Sequence, residues 1–303
     1  MMDVYHVRIQ EVFSGNDAAV RVSTNFDHGP FDPVHRGVDL TYRHHEHPFG
    51  EIVIVLDGEG DHIIGEERVS FHRYDVFHIP PGVPHHFENV QHVALVNLIY
   101  LPEALTSGLH ELEYLPGFRA FFTLEPELRS KHRFRSRLTL PPSAWPDLRG
   151  RVERLLQEER DRRAGYRVAL LMQFTDILIF FARNYAALTT PEAVSLYRIA
   201  SLIGTMEREF DRKWTVDEFC SHLHVSRSTL RRLFIDTLGC SAMEYLNGIR
   251  LERACKLLQS SDSSVTEVGL SCGFSDSNYF IRRFSSAFGC PPLQWRKTMS
   301  GQV

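Results

Sequence analysis

The sequence predicts an α+β protein of two domains, with a β-rich N-terminal part and an all-helical C-terminal part. The chain has 303 residues, which is enough for two domains of ordinary size. Short β-rich runs fill residues 15–100, whereas helical periodicity begins at Trp145. In addition, 12 of the 16 histidines lie within residues 1–92, and all five cysteines lie in the last third. The two parts therefore carry different chemistry.

Composition indicates a cytoplasmic globular protein without a membrane partner. Hydrophobic residues make up 43% and charged residues 24% of the chain. The start, MMDVYHVRIQEV, lacks the basic and apolar regions of a secretory signal, and the apolar run at 168–182 is too short and too interrupted to span a membrane. The cysteines are odd in number and form no CxxC pair, so we expect reduced, packed thiols.

The N-terminal part predicts an antiparallel barrel or sandwich. Its short runs are separated by turn signals such as LDGEG (56–60) and PPGVP (80–84), and such regular spacing is typical of all-β architectures. The predicted strands are Val38–Tyr42, Glu51–Leu56, His62–Ile64, Val76–Ile79 and Val93–Tyr100.

A histidine cluster lies within this β-rich part, in the stretch RHHEHPFGE (43–51). Side chains alternate along a strand, so His45, His47 and Glu51 share one face and His44 faces away. The PPGVP turn places His85 at the start of another strand. Three imidazoles and a carboxylate are a normal ligand set for Zn, Fe, Ni or Mn. The alternative is a polar pocket without metal.

The predicted pocket is mixed polar and aromatic, as ligand sites commonly are. Its predicted lining residues are Arg43, His45, His47, Glu51, Phe77, His85 and Phe87.

Two helices are predicted at 147–163 and 165–185. The first has an apolar stripe of Leu148, Val152, Leu155 and Leu156 bordered by charges, so it either pairs two chains or packs on its own barrel. A linker or turn is predicted in AALTTPEAV (186–194), because its Thr-Thr-Pro discourages continued helix, and the predicted domain boundary takes 191–197 as the linker.

The C-terminal part contains a helix-turn-helix at 214–240. Thr215 and Glu218 form a capping box that starts one helix, and Ser226 caps the next. The second helix presents Arg227, Ser228, Arg231 and Arg232 on its outer face. Residues 198–303 carry 14 Lys/Arg and 11 Asp/Glu, a charge of +3, against −7 for the rest. Such a charge supports nucleic-acid binding only mildly.

The same pattern recurs 50 residues later, at 264–290. Ser264 and Glu267 form a second capping box, Gly273 ends that helix, and Ser275 is the predicted cap of the next. The long helix at 245–261 between the motifs is expected to fix the two recognition helices relative to one another. The outward residues are Ser277, Asn278, Ile281 and Arg282, with Arg283 at the flank.

This C-terminal sequence resembles the AraC/XylS transcription regulators. YLNGIRLERACKLL (245–258) and VTEVGLSCGFSDSNYFIRRFSSAFGCPPLQWR (265–296) match their DNA-binding signature. The resemblance implies seven helices and two recognition helices that enter successive major-groove segments. It places DNA-binding positions at Arg227, Ser228, Arg231, Arg232, Ser277, Asn278 and Arg282, beside Arg283.

We expect Arg231 and Arg282 to contact bases, and Arg282→Ala to cost about 1–3 kcal/mol at the operator. The alternative for each residue is a phosphate contact. The family often has a bulky side chain at the position of Ser228. The short side chain of Ser228 argues against apolar contact with thymine methyl groups at that position.

The N-terminal part resembles the cupin family over about residues 25–100. The form HxHxxxE with a later Gly fits His45, His47, Glu51 and Gly58, and the form PxGxxHxxxN fits 80–89. The leading glycines of both motifs are missing, since Asp39 and Tyr74 stand there. AraC-type regulators commonly carry such a domain as effector sensor, and the layout is similar to the rhamnose-type, sugar-responsive members.

We therefore expect a transcription regulator, an activator rather than a repressor, and not an enzyme. Its partners would be operator DNA, a sugar or related polar metabolite, RNA polymerase and a second copy of the chain. The alternatives are a metal-dependent cupin enzyme fused to a DNA-binding domain and a constitutive DNA-binding dimer. The predicted domains are 1–143 (cupin-like), 144–190 (helical, dimerisation or accessory), 191–197 (linker) and 198–303 (DNA-binding).

Overall fold

The computed structural model describes residues 5–6, 19–26, 44–102, 110–129 and 137–299. It divides into two compact units, Met1–Ala200 and Ser201–Val303. The predicted strand Val38–Tyr42 and the predicted pocket residue Arg43 lie outside the described residues.

The first unit contains a largely antiparallel sheet. Its strand order is β1-β3-β7-β4-β6-β8, with β2 also paired to β7 and β5 to β4. Only β1 and β3 run parallel among the described pairs. The strands are β1 Tyr5–His6, β2 Val20–Phe26, β3 His45–Glu46, β4 Gly50–Ile64, β5 Glu67–His72, β6 Asp75–Ile79, β7 His85–Tyr100 and β8 Arg137–Thr139.

Strand β4 corrects the predicted turn at LDGEG. The two predicted strands on either side of it are one strand, which pairs with β7 through three register shifts between Val55 and Asp61. Gly58 has φ +85°, and a Cβ there would lie 2.6 Å from the Gln91 and His92 carbonyl oxygens. Glycine inside a strand often marks a bulge or a close backbone approach, and here it marks both.

Side chains pack on both faces of the sheet. One face carries a core that includes Val53, Phe71 and Leu95. On the other face, the Tyr100 ring lies 5.2 Å from Phe174, and its hydroxyl lies 2.8 Å from His78 Nε2. Burial of Tyr100 raises the pKa of its hydroxyl, so it remains neutral.

The helices of the first unit cover that second face. They are α1 His110–Glu113, α2 Pro116–Phe118, a π-helical turn Arg119–Leu124, α3 Glu125–Arg129, a 3-10 turn Pro142–Ala144, α4 Trp145–Asp161 and α5 Tyr166–Ala186. Within the described residues, no helix is long and apolar enough to cross a membrane.

The apolar stripe of α4 packs within its own chain. Leu148, Val152 and Leu155 are all buried there, so most of this stripe is not available to a second chain. Helix α5 instead leaves Val168 and Met172, one turn apart, 63% and 68% exposed.

The break between helices that was predicted within 186–194 is present at 187–190, whereas 191–197, the predicted linker, is helical. Helix α6 spans Pro191–Arg208. The Thr190 hydroxyl accepts a hydrogen bond from the Ala193 N–H at 3.3 Å. Proline suits the first turn of a helix. Thr-Thr-Pro therefore ends one helix and starts the next.

The second unit is helical, as predicted. It completes α6 and adds α7 Val216–Leu223, α8 Arg227–Leu238, α9 Ala242–Ser260, α10 Val265–Ser271, α11 Ser277–Phe288 and α12 Pro292–Met299. Helices α8 and α11 each have 12 residues and begin 50 positions apart, which confirms the internal repeat. Each ends at a left-handed glycine, Gly239 or Gly289.

Most predicted caps are confirmed, and one is wrong. Thr215 and Ser264 form complete capping boxes, and Ser226 caps α8. Helix α11 is capped by Asp276 rather than Ser275, because the Asp276 carboxylate accepts from the backbone N–H groups of both Asn278 and Tyr279. A carboxylate at this end also complements the helix dipole.

We expect Gly273→Ala to destabilise the second unit more than Gly289→Ala. Both residues have positive φ, which costs a non-glycine residue about 1–2 kcal/mol. At Gly273 a Cβ would also lie 2.7 Å from the Asp211 carbonyl oxygen, whereas at Gly289 nothing lies within 4 Å. Urea unfolding of the full chain measures the difference, and equal losses would contradict the packing argument.

Candidate functional site

The structure brings the four predicted metal-ligating residues together inside the first unit. One ligand atom from each of His45, His47, Glu51 and His85 lies within 4.8 Å of the others, and all four residues are buried. Pairing of β3 with β7 sets His45 opposite His85. The predicted shared face of His45, His47 and Glu51 is therefore confirmed, while metal binding itself stays a prediction.

Hydrogen bonds orient two of the imidazoles. His47 Nδ1 lies 2.8 Å from the Phe49 carbonyl oxygen, and His85 Nδ1 lies 3.0 Å from that of Val83. A carbonyl oxygen only accepts, so each Nδ1 must donate. In a neutral ring, Nε2 then carries a lone pair. The Nε2 atoms of His47 and His85 lie 3.0 Å and 3.1 Å from Glu51 Oε2.

This donor set fits a divalent cation. Two lone pairs and a carboxylate converge on one small volume, so a positive charge must lie between them, supplied by protons or by a metal ion. Metal-bound histidines commonly donate their other N–H to a backbone carbonyl, as His47 and His85 do here.

Electrostatics keep Glu51 ionised in this buried place. Burial acts to raise the pKa of its carboxyl, but when no metal ion is bound, hydrogen bonds that His47 and His85 donate from Nε2, together with charge interactions, outweigh burial and hold that pKa well below its usual value. The cluster therefore offers an anionic ligand at neutral pH.

His44 faces away from the cluster, as predicted. Its Nδ1 lies 2.9 Å from His86 Nδ1, and His86 Nε2 lies 3.0 Å from Glu88 Oε1. Two adjacent histidines, His44 and His45, therefore belong to different networks on opposite faces.

The predicted aromatic lining residues lie beneath the cluster. Phe77 and Phe87 are 0% and 5% exposed in the core of the sheet. Between them and the cluster lies His62, which sequence reasoning missed. Its ring lies 4.2 Å from Phe87, 5.0 Å from Phe77 and 5.8 Å from His85.

In the second unit, α8 presents the first predicted DNA-binding surface. Arg227, Ser228, Arg231 and Arg232 are all exposed. Arg227 donates two hydrogen bonds to the Asp217 carboxylate, at 2.7 Å and 2.6 Å. The Arg227 guanidinium also lowers the pKa of Asp217. Arg227 is thus engaged within the protein, whereas Arg231 and Arg232 project outward.

Helix α11 presents the second surface. Asn278 and Arg282 are exposed, and Ser277 is half-buried at the first turn. Arg282 occupies the position that Arg232 has in α8, 50 residues earlier. Hydrogen bonds from Ser241 chiefly lower the pKa of Glu244 at the start of α9, and the charge of the half-buried Arg283 adds to this effect. Arg283 therefore lies on the flank, as predicted.

Contacts of α9 hold the two motifs together. Arg250 donates to the backbone carbonyls of Phe210 and Arg212, both at 2.8 Å. Asn247 Nδ2 lies 3.3 Å from the Tyr279 hydroxyl of α11. Leu246 of α9 also packs in one core with Phe219 of the first motif, so both helix-turn-helix motifs are joined to one helix, as expected from the sequence.

Comparisons with known proteins agree with this arrangement. The cupin domain family matches residues 36–99, and a helix-turn-helix domain family matches residues 219–298. The transcriptional activator RhaR of Salmonella schwarzengrund is 30% identical over 258 residues, covering 84% of this chain and 87% of the relative. RhaR of Enterobacter sp. (strain 638) is 29% identical over 262 residues, with the same coverage.

Solved structures of DNA-binding domains match about a third of this chain. The DNA-binding domain of AdpA in complex with a target DNA is 25% identical, covers 35% of this chain and 95% of that chain, and has a TM-score of 0.34. An AraC-type regulator from Chromobacterium violaceum is 30% identical, covers 37% and 99%, and has a TM-score of 0.34. From the full-length relatives and both matched domains, this chain belongs to the AraC family of helix-turn-helix transcriptional activators and carries an N-terminal cupin domain.

Proposed function

We propose that this activator is controlled by a polar small molecule, a sugar or a related metabolite, bound in the cupin domain. The single observation that supports control is the buried cluster of His45, His47, Glu51 and His85. Burying an ionised carboxylate costs several kcal/mol unless partners compensate it. A constitutive DNA-binding protein gains nothing from maintaining such a group.

Within this proposal the same four residues hold a divalent metal ion. When bound there, such an ion would act as a Lewis acid toward hydroxyl or carboxylate oxygens of the effector. His62, Phe77 and Phe87 support the cluster from below and keep water from that side. Fusion to two helix-turn-helix motifs favours sensing over a cupin enzyme.

The proposed output is binding of operator DNA by a homodimer that recruits RNA polymerase in the cytoplasm. Arginine can donate two hydrogen bonds to a guanine edge, and asparagine can do the same for adenine. Exposed Arg231, Arg232, Asn278 and Arg282 suit these roles. The exposed pair Val168 and Met172 on α5 supports a contact between two copies.

A ligand screen on the full chain tests the proposal. We expect one polar metabolite, among sugars and related compounds with and without divalent metal, to raise the melting temperature. A ligand at 100 times its Kd stabilises by about 2.7 kcal/mol. If this compound controls DNA binding, it must also change the affinity for a duplex selected in vitro, and the duplex must change the affinity for the compound by the same factor. If no compound changes either quantity, the chain is a constitutive binder, and turnover of a compound would indicate an enzyme.

A further inference from the structure

Ile235 is an apolar side chain exposed on the first recognition helix. It is 41% exposed, although its neighbours Leu230 and Phe234 are buried. At about 100° per residue, Ile235 falls on the same face of α8 as Ser228, Arg231 and Arg232. The face that would meet DNA therefore contains one branched aliphatic group among polar ones.

The fold of the unit does not require an apolar residue at this place. The repeat puts Ser285 at the equivalent position of α11, in a helix of the same length. A β-branched residue also has a lower helix propensity than many polar residues. A contact outside the folded unit explains Ile235 better than stability does.

The major groove offers such a contact, because the C5-methyl group of thymine is its characteristic apolar feature. Ile235 lies one turn after Arg231, or about 6 Å along the helix axis. Ser228 has a short side chain and leaves room on this face. We propose that Ile235 packs against a thymine methyl group beside the bases contacted by Arg231 and Arg232, and so determines specificity. This inference rests on the proposed recognition of operator DNA.

The test begins with the full-length protein and a random pool of duplexes, from which the tightest binder is selected. Each thymine of that duplex is then replaced, one at a time, by deoxyuridine, which lacks only the methyl group. We expect one replacement to weaken wild-type binding about fourfold, the equivalent of ~0.8 kcal/mol for one buried methyl group.

Ile235→Ala should weaken binding to the unmodified duplex by a similar or larger factor and should not respond to deoxyuridine at that position. Such non-additivity shows that the two groups touch. Ile235→Val keeps a branched side chain and should retain the deoxyuridine response. Leu270→Ala, which removes a 54% exposed apolar group from α10, should bind as wild type does.

Three results would overturn the inference. They are full affinity of Ile235→Ala, an equal loss on selected and random duplexes, and a deoxyuridine response that persists in Ile235→Ala. Full affinity combined with lost activation of transcription would mean that Ile235 contacts a protein. If the wild type selects no consensus at all, recognition of an operator fails, and the inference fails with it.

Discussion

Replacing Arg232 and Arg282 together by alanine is expected to weaken sequence-specific binding strongly while leaving the fold intact. Each arginine is exposed at the equivalent position of its recognition helix. Loss of a bidentate contact to guanine costs about 1–3 kcal/mol. Free-energy changes at distant sites are additive. The double variant should therefore lose about 2–6 kcal/mol of binding free energy, or roughly 30-fold to 10⁴-fold in Kd for a selected duplex.

A charge-matched variant distinguishes base contacts from general electrostatic attraction to DNA. Lys256→Ala with Lys297→Ala removes the same net charge from exposed positions of α9 and α12, outside both recognition helices. Its losses on selected and random duplexes should be small and similar. Equal losses of the arginine variant on both duplexes would indicate phosphate contacts and contradict base recognition.

His45→Ala is expected to remove bound metal, whereas His44→Ala retains it. The two residues are adjacent, yet His45 belongs to the cluster with Glu51 and His85, and His44 contacts His86 on the other face. Loss of a direct ligand should exceed the roughly 10–100-fold that loss of a residue orienting a ligand costs. Elemental analysis and calorimetry on protein loaded with Zn²⁺, Ni²⁺, Mn²⁺ or Fe²⁺ measure this.

The wild type should bind one ion per chain in that experiment. If no ion binds under any loading condition, the cluster is a metal-free polar pocket. If His44→Ala loses metal as fully as His45→Ala does, the assignment of faces is wrong.

The second unit could be predicted almost completely, because its signals are local. Capping boxes at Thr215 and Ser264 and the glycine at 273 mark helix ends without reference to the rest of the fold. The error at Ser275 arose between two adjacent residues that both cap helices well. The carboxylate of Asp276 prevails because it accepts two backbone N–H groups.

The faces on which the cluster residues lie could be predicted from the alternation of side chains, but only where the strands are regular. His45, His47 and Glu51 precede the bulges of β4, and alternation places them correctly. His62 follows three register shifts in β4. Its side chain therefore lies on the same face as that of Glu51, although one residue number is even and the other odd. A one-residue slip exchanges the two faces of a strand, which is why His62 was missed.

A departure from the cupin pattern shows where motif rules fail. Tyr74 stands in place of the leading glycine, yet its φ is +79°, a conformation that favours glycine. Its ring lies 5.1 Å from Trp145, with Arg73 4.9 Å from its centre. Side-chain packing compensates for the unfavourable backbone, and such compensation depends on residues far away in sequence.

The measurement that tests the central claim most directly is guanine methylation interference with the full-length protein on a selected duplex. The two recognition helices of each chain predict two clusters of guanines in each half-site that the proposed homodimer binds, on one face of the DNA and about one helical turn apart. Arg232→Ala should remove interference at one cluster of each half-site and Arg282→Ala at the other, because in the proposed complex each arginine would donate to guanine N7 and O6. A single cluster, or a map that neither variant changes, would contradict recognition by a pair of equivalent helices.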